Sequence, residues 1–198
     1  MNIGLMAVDS VYPNLALMKI SSWHKAKGDC VEWYNPFDEF DVEYMSKAFS
    51  FTEDYRQYMT NAKEIRQGGT GYNLSVKLDA AIEFVTPDYS IYPNIDDRTA
   101  YGFLTRGCPN RCKWCVVPRK EGGIKPYMDV EEIAVDGRNE LYLMDNNILA
   151  CDYGLEQIEK IIKLNEGRKK KIKVGFNQGL DERLVPDEIA KMLSRLKW

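Results

Sequence analysis

Hydrophobic and polar positions switch repeatedly between a strand-like and a helix-like period along this chain. Residues 3–8, Ile-Gly-Leu-Met-Ala-Val, are a short apolar run that predicts a buried strand. A polar loop containing Pro13 follows. Leu15 and Met18 on one side, with Ser22 and Lys25 on the other, predict a helix from about Asn14 to Lys27, ended by Gly28. Residues 30–34 and 41–49 read as two further strands. Residues 63–65 read as a weak strand ahead of Gly68-Gly69-Thr70-Gly71-Tyr72. Strand, helix and strand in that order predict a Rossmann-like parallel α/β layer, with ligands beyond the carboxyl ends of the strands.

Pro87, Pro93 and the polar residues between them predict a linker, so the chain divides as 1–86, 87–99 and 100–198. In the last part the alternation of elements resumes. A strand over 100–105 leads into a cysteine-containing loop. A helix over 128–134 has Asp129 as its N-cap, with Glu131 and Glu132 in its first turn. A strand is predicted over 140–144, then an amphipathic helix over 153–164 through Leu155, Ile158, Ile161 and Ile162. A strand over 172–176 and a helix over 188–196, capped by Asp187, complete the pattern. The fold class is therefore α/β, the second half being an α/β barrel or a piece of one with three β–α units. Each of its strands ends in polar residues: the cysteine loop, then Asp145-Asn146-Asn147, then Asn177-Gln178-Gly179 and Asp181. That shared placement argues for a site at one edge of the sheet.

The formal charge of −3 over 198 residues gives no basic field for nucleic acid. The run Arg168-Lys169-Lys170-Lys171 falls between a helix and a strand, as a solvated loop does. No apolar run is long enough to span a bilayer, and Met1-Asn2-Ile3-Gly4-Leu5 lacks a signal-peptide pattern. No membrane partner is expected.

The chemistry concentrates in Cys108-Pro109-Asn110-Arg111-Cys112-Lys113-Trp114-Cys115. Three thiols within eight residues cannot all pair as disulfides, and they suit a soft metal or an iron–sulfur cluster. A structural zinc site is the competing reading. It normally needs two half-sites, whereas Cys30 and Cys151 stand alone and His24 is the only histidine. Thiols that must stay reduced point to the cytoplasm.

Cys108-x-x-x-Cys112-x-x-Cys115, with Trp114 before the last cysteine, resembles the cluster loop of the radical S-adenosylmethionine superfamily. The resemblance implies a [4Fe–4S] cluster on Cys108, Cys112 and Cys115, with S-adenosylmethionine on the fourth iron. It implies reductive cleavage of that cofactor to a 5′-deoxyadenosyl radical, hydrogen abstraction from a substrate the sequence does not identify, and a one-electron donor such as a flavodoxin or ferredoxin. By the same resemblance Trp114 lies near the adenine, and Asp145 and Asn146 face the methionine amino group. Asn177, Gln178 and Asp181 then line the same mouth.

The N-terminal part, through Tyr12-Pro13-Asn14-Leu15-Ala16-Leu17 and Gly68-Gly69-Thr70-Gly71-Tyr72, is similar to the cobalamin-binding-like domain that precedes many such cores. Pro87-Asp88-Tyr89-Ser90-Ile91-Tyr92-Pro93 looks like its usual exit. Val11 stands where that family's cobalt-ligating histidine would be, which argues against bound cobalamin. The family's core has six β–α units against three here, so the chain reads as a fragment, a reduced form, or one that a second chain completes. A non-catalytic iron–sulfur or electron-transfer module stays open. So does a methylthiotransferase-like enzyme, although the first part holds only Cys30 and not a second set of three cysteines.

Overall fold

Four strands of the first half lie side by side and parallel: β1 (Asn2–Ala7), β2 (Cys30–Trp33), β3 (Val42–Ser46) and β4 (Glu64–Gly68), in the order β2-β1-β3-β4. The computed structural model describes residues 1–54 and 60–198. Helix α1 (Leu15–Ala26) starts where Asn14 accepts a hydrogen bond from the Leu17 N–H, and Gly28 follows it at φ 83°. On one face of the sheet Ile3, Leu5, Val42 and Tyr44 pack with Leu17 and Ile20 of α1 and with Ile82 of the short α2 (Ala80–Glu83). Met6, Val8 and Met45 form a second cluster with Tyr34 and Tyr72. Side chains alternate between faces because successive strand residues point opposite ways. Each fully buried aliphatic side chain contributes roughly 1.5–3 kcal/mol. The glycines at 69 and 71 are required by close approach, since a Cβ on Gly69 would stand 2.4 Å from the Lys47 carbonyl oxygen and one on Gly71 2.7 Å from that of Phe49.

The boundary between the two compact units falls at Ile95 and Asp96, within the stretch predicted as a linker. Residues 87–95 belong to the first unit. The Asp88 carboxylate accepts from Ser21 Oγ at 2.7 Å and Lys25 Nζ at 2.7 Å, its N–H reaches the Met18 carbonyl, and Trp33 Nε1 donates to the Ile91 carbonyl at 2.8 Å. The two prolines punctuate the chain here, but the side chains between them fasten it to α1.

In the second unit β5 (Thr99–Gly102), β8 (Glu140–Leu143) and β9 (Lys173–Phe176) form a parallel sheet in that order. The predicted strand over 100–105 stops at Gly102. A separate two-residue strand β6 (Thr105–Arg106) pairs antiparallel with β7 (Lys125–Pro126), and α3 (Val117–Lys120) lies between them in sequence. Helix α4 (Val130–Ile133) opens with a full capping box between Asp129 and Glu132. It sits so close to β5 that a Cβ on Gly102 would meet the Ile133 side chain at 2.7 Å. Helix α5 (Asp152–Gly167) buries Ile158, Ile161 and Ile162 as its period predicts. Helix α6 (Asp187–Leu193) is shorter than predicted, with Pro186 rather than Asp187 at the N-cap. Beyond it, Lys197 forms a parallel bridge to Lys173, alongside β9. Leu141 and Leu143 are buried while Tyr142 between them is 42% exposed, stacked on Tyr101. Among the described residues no helix is long and apolar enough to cross a membrane.

Candidate functional site

The register of the three-stranded sheet sets Gly102, Leu143 and Phe176 level with one another. The loops that leave β5, β8 and β9 therefore emerge along one edge, and the first of them carries the three cysteines.

That loop has a fastened stem. Arg106 forms a two-point ion pair with Glu121, Nε to Oε2 at 3.1 Å and an Nη to Oε1 at 2.5 Å, and its guanidinium lies over the Phe103 ring. The Cys108 N–H donates to the Gly122 carbonyl. Gly107 turns the chain at φ 87°, with its missing Cβ pointed at the Gly123 carbonyl 2.4 Å away. No L-residue with a side chain fits that turn without moving the backbone.

Asp145 supplies a second fastening. It is 3% exposed, and its carboxylate accepts from the N–H groups of Leu104 and Thr105 and from Thr105 Oγ1. Burial pushes the carboxyl up from its ordinary value, against the opposing pull of the Thr105 and Leu104 bonds. Resemblance assigns this residue to the cofactor's amino group. The structure instead turns its carboxylate inward, onto the segment that feeds the cysteine loop. Asn146 beside it is half-buried.

Past Asp145 the same strand end delivers Asn147, 5% exposed. Its Nδ2 lies 3.8 Å from Cys108 Sγ and 3.3 Å from Asp181 Oδ2. Asp181 also accepts from Asn110 Nδ2 at 3.3 Å, inside the cysteine loop, and is clasped by Arg183 through Nε and an Nη. The Arg183 guanidinium holds the Asp181 carboxyl well below the usual carboxylate range. Asp181 raises the Arg183 pKa in return, with smaller contributions from Cys112 and Cys108. One carboxylate thus joins the loops from all three strands. Asn177 and Gln178, predicted for the same mouth, are exposed after β9, and it is Asp181 that reaches the cysteine loop. Trp114 stands 89% exposed. Asn110 and Arg183 carry no signal in the sequence as partners, because their contact runs through a carboxylate some seventy residues from the loop.

Cys108 and Cys115 are half-buried, Cys112 is exposed, and all three are free thiols. Among the described residues no three His, Cys, Asp or Glu side chains stand close enough together to hold a metal ion. By donor chemistry the three thiols of this loop nevertheless fit a thiophilic group.

In the first unit, His24 is buried with Nδ1 on Asp29 at 2.7 Å and Nε2 on the Tyr44 hydroxyl at 3.0 Å, so both ring nitrogens are engaged internally. A cavity of about 250 Å³ opens beyond β1 and β2, lined by Leu5, Ala7, Ser10, Trp33, Tyr34 and Tyr92 among others. Compared with models of known protein families and with curated proteins, the chain matches none.

Proposed function

We propose that the second unit is the cluster-bearing part of a radical S-adenosylmethionine protein, in which Cys108, Cys112 and Cys115 hold one [4Fe–4S] cluster. The observation that carries this reading is the tying of the Cys108 loop, through Asn147 and Asp181, to the carboxyl ends of the two neighbouring parallel strands. In an α/β barrel that edge is where reactive groups gather. Three thiolates leave one iron without a protein ligand. When bound there, the cluster would supply one electron to S-adenosylmethionine and so a radical able to abstract hydrogen.

The chain's own residues have separable tasks in this reading. The three cysteines ligate. The Arg106–Glu121 pair and Asp145 fix the loop's stem and entry. Asn147 Oδ1 is buried with no hydrogen-bond partner among the described residues, which makes it an acceptor for the cofactor's ammonium group. Asp145, whose carboxylate is occupied, is freed from that task. The first unit is a parallel α/β domain of cobalamin-binding-like type with no cobalamin assigned to it; Val11 stands at the position of the cobalt-ligating histidine, and His24 is engaged with Asp29 and Tyr44. An electron donor, a substrate and a second chain that completes the barrel make up the set of partners.

The test is anaerobic electron paramagnetic resonance of the reconstituted, reduced protein, with and without S-adenosylmethionine. A four-iron signal that changes on adding the cofactor supports the reading. A signal indifferent to the cofactor makes the protein an iron–sulfur carrier, and zinc in place of iron makes the loop a structural metal site.

A further inference from the structure

We propose that Asn147 is a positioning residue for Cys108, donating an N–H to its sulfur and so setting the reduction potential of the cluster; this rests on the cluster reading above. Asn147 Nδ2 faces two acceptors, Cys108 Sγ at 3.8 Å and Asp181 Oδ2 at 3.3 Å. An amide oxygen turned toward a sulfur and a carboxylate would be repelled by both, so the contacts themselves fix which end of the amide points there. The Asp181 tether takes one hydrogen and directs the other toward the sulfur. Arg183 and Asn110 hold Asp181 in turn, which keeps the donor from swinging away.

A hydrogen bond to a ligand sulfur withdraws charge from the metal centre and favours its reduced form. The other end of the same amide argues against a role in stability alone. Asn147 Oδ1 is buried and has no hydrogen-bond partner among the described residues, an arrangement that a leucine, of the same branched shape, would avoid.

The experiment compares N147L and N146L with the wild-type chain after cluster reconstitution. Iron and sulfide content are measured first, then the potential by an optical redox titration. N147L is expected to keep its cluster and its melting temperature while its potential moves negative; N146L should match wild type. Equal potentials in N147L and wild type overturn the proposal. Should N147L fail to assemble, pulsed paramagnetic resonance of the N110S chain, in which the cluster loop holds no asparagine, decides after labelling with asparagine carrying ¹⁵N in its side-chain amide. A ¹⁵N coupling to the reduced cluster supports the proposal, and its absence overturns it. A wild-type chain that takes up no iron instead defeats the underlying cluster reading, a distinct result.

Discussion

Asp145 and Thr105 stand forty positions apart in the chain, yet the Asp145 carboxylate takes both the backbone N–H of Thr105, at 2.5 Å, and its hydroxyl, at 2.7 Å. A third bond, from the Leu104 N–H at 3.1 Å, goes to the same side chain. The end of β8 thereby governs the point where the chain leaves β5 and turns toward the cysteines.

Removing that carboxylate strands two buried backbone donors. D145A is expected to destabilise the protein by about 1–3 kcal/mol for each donor left unpaired. T105V loses only the hydroxyl bond and should cost about 1 kcal/mol, the ordinary net worth of one hydrogen bond. Urea unfolding of the two variants checks the order. A T105V cost equal to that of D145A would mean the backbone donors find other partners and that the carboxylate is not the clamp.

Gly107 and Gly122 make a matched pair for the loop's stem. Both have positive φ, 87° and 78°, but a Cβ would strike the Gly123 carbonyl at the first and meet nothing within 4 Å at the second. G122A should therefore show only left-handed backbone strain, about 1–2 kcal/mol. G107A adds a backbone collision and displaces Cys108 from the Gly122 carbonyl. It is expected to melt well below G122A and to retain less iron after reconstitution. Similar melting points and iron contents for both variants would show that the stem tolerates the displacement.

The sequence carries in plain view what is local. Asn14 and Gly28 bracket α1 as their cap chemistry predicts, Asp129 and Glu132 close a capping box, and Leu141 and Leu143 alternate with Tyr142 as a half-covered strand must. Hydrophobic period and cap chemistry act within one turn or one strand, so they can be read without the fold. The site's supports are of another kind. Asn147 reaches Cys108 across thirty-nine positions, and Arg106 closes on Glu121 across fifteen. No local pattern distinguishes such a buried asparagine from the one beside it in a turn, so the sequence points to Asp145 and Asn146, while Asn147 carries the contacts to Cys108 and Asp181. The stretch 87–95 misleads for the same reason. Its prolines predict a break, while the bonds from Ser21 and Lys25 to Asp88 that bind it down lie more than sixty residues away in sequence.

Asp88 gives that stretch a pH signature. Burial raises its carboxyl, but the hydrogen bonds from Lys25, Ser90 and Ser21 more than reverse this and bring it from 3.8 to about 2. Its pKa in the folded chain is thus below that in the unfolded chain. The stability it contributes is complete above about pH 4 and lost as pH falls toward 2, because the unfolded chain then binds the proton more readily. With a side chain only 13% exposed, the loss amounts to roughly 2 kcal/mol. Unfolding measured from pH 6 to pH 2 should show this acid limb in the wild type and its flattening in D88N. At pH 7 the same substitution should hasten proteolysis between residues 87 and 95. An unaltered acid limb in D88N would place the pH dependence in other carboxylates.

The five cysteines separate the metal readings by a simple division. Cys108, Cys112 and Cys115 share the loop whose stem is fastened at Arg106 and Gly107. Cys30 opens β2 in the other unit, and Cys151 stands at the N-cap of α5. If three thiolates ligate and one iron lacks a protein ligand, C108A, C112A and C115A each remove the brown chromophore, because a cluster held by two sulfurs is left open to solvent and oxygen. C30A and C151A should keep full iron and sulfide. The count is made by iron and sulfide analysis of anaerobically reconstituted protein, with the visible spectrum of each variant. Loss of the cluster in C151A as well would supply a fourth thiolate and close the position at which a cofactor would bind. Undiminished iron in all three loop variants would remove the cluster from this loop altogether.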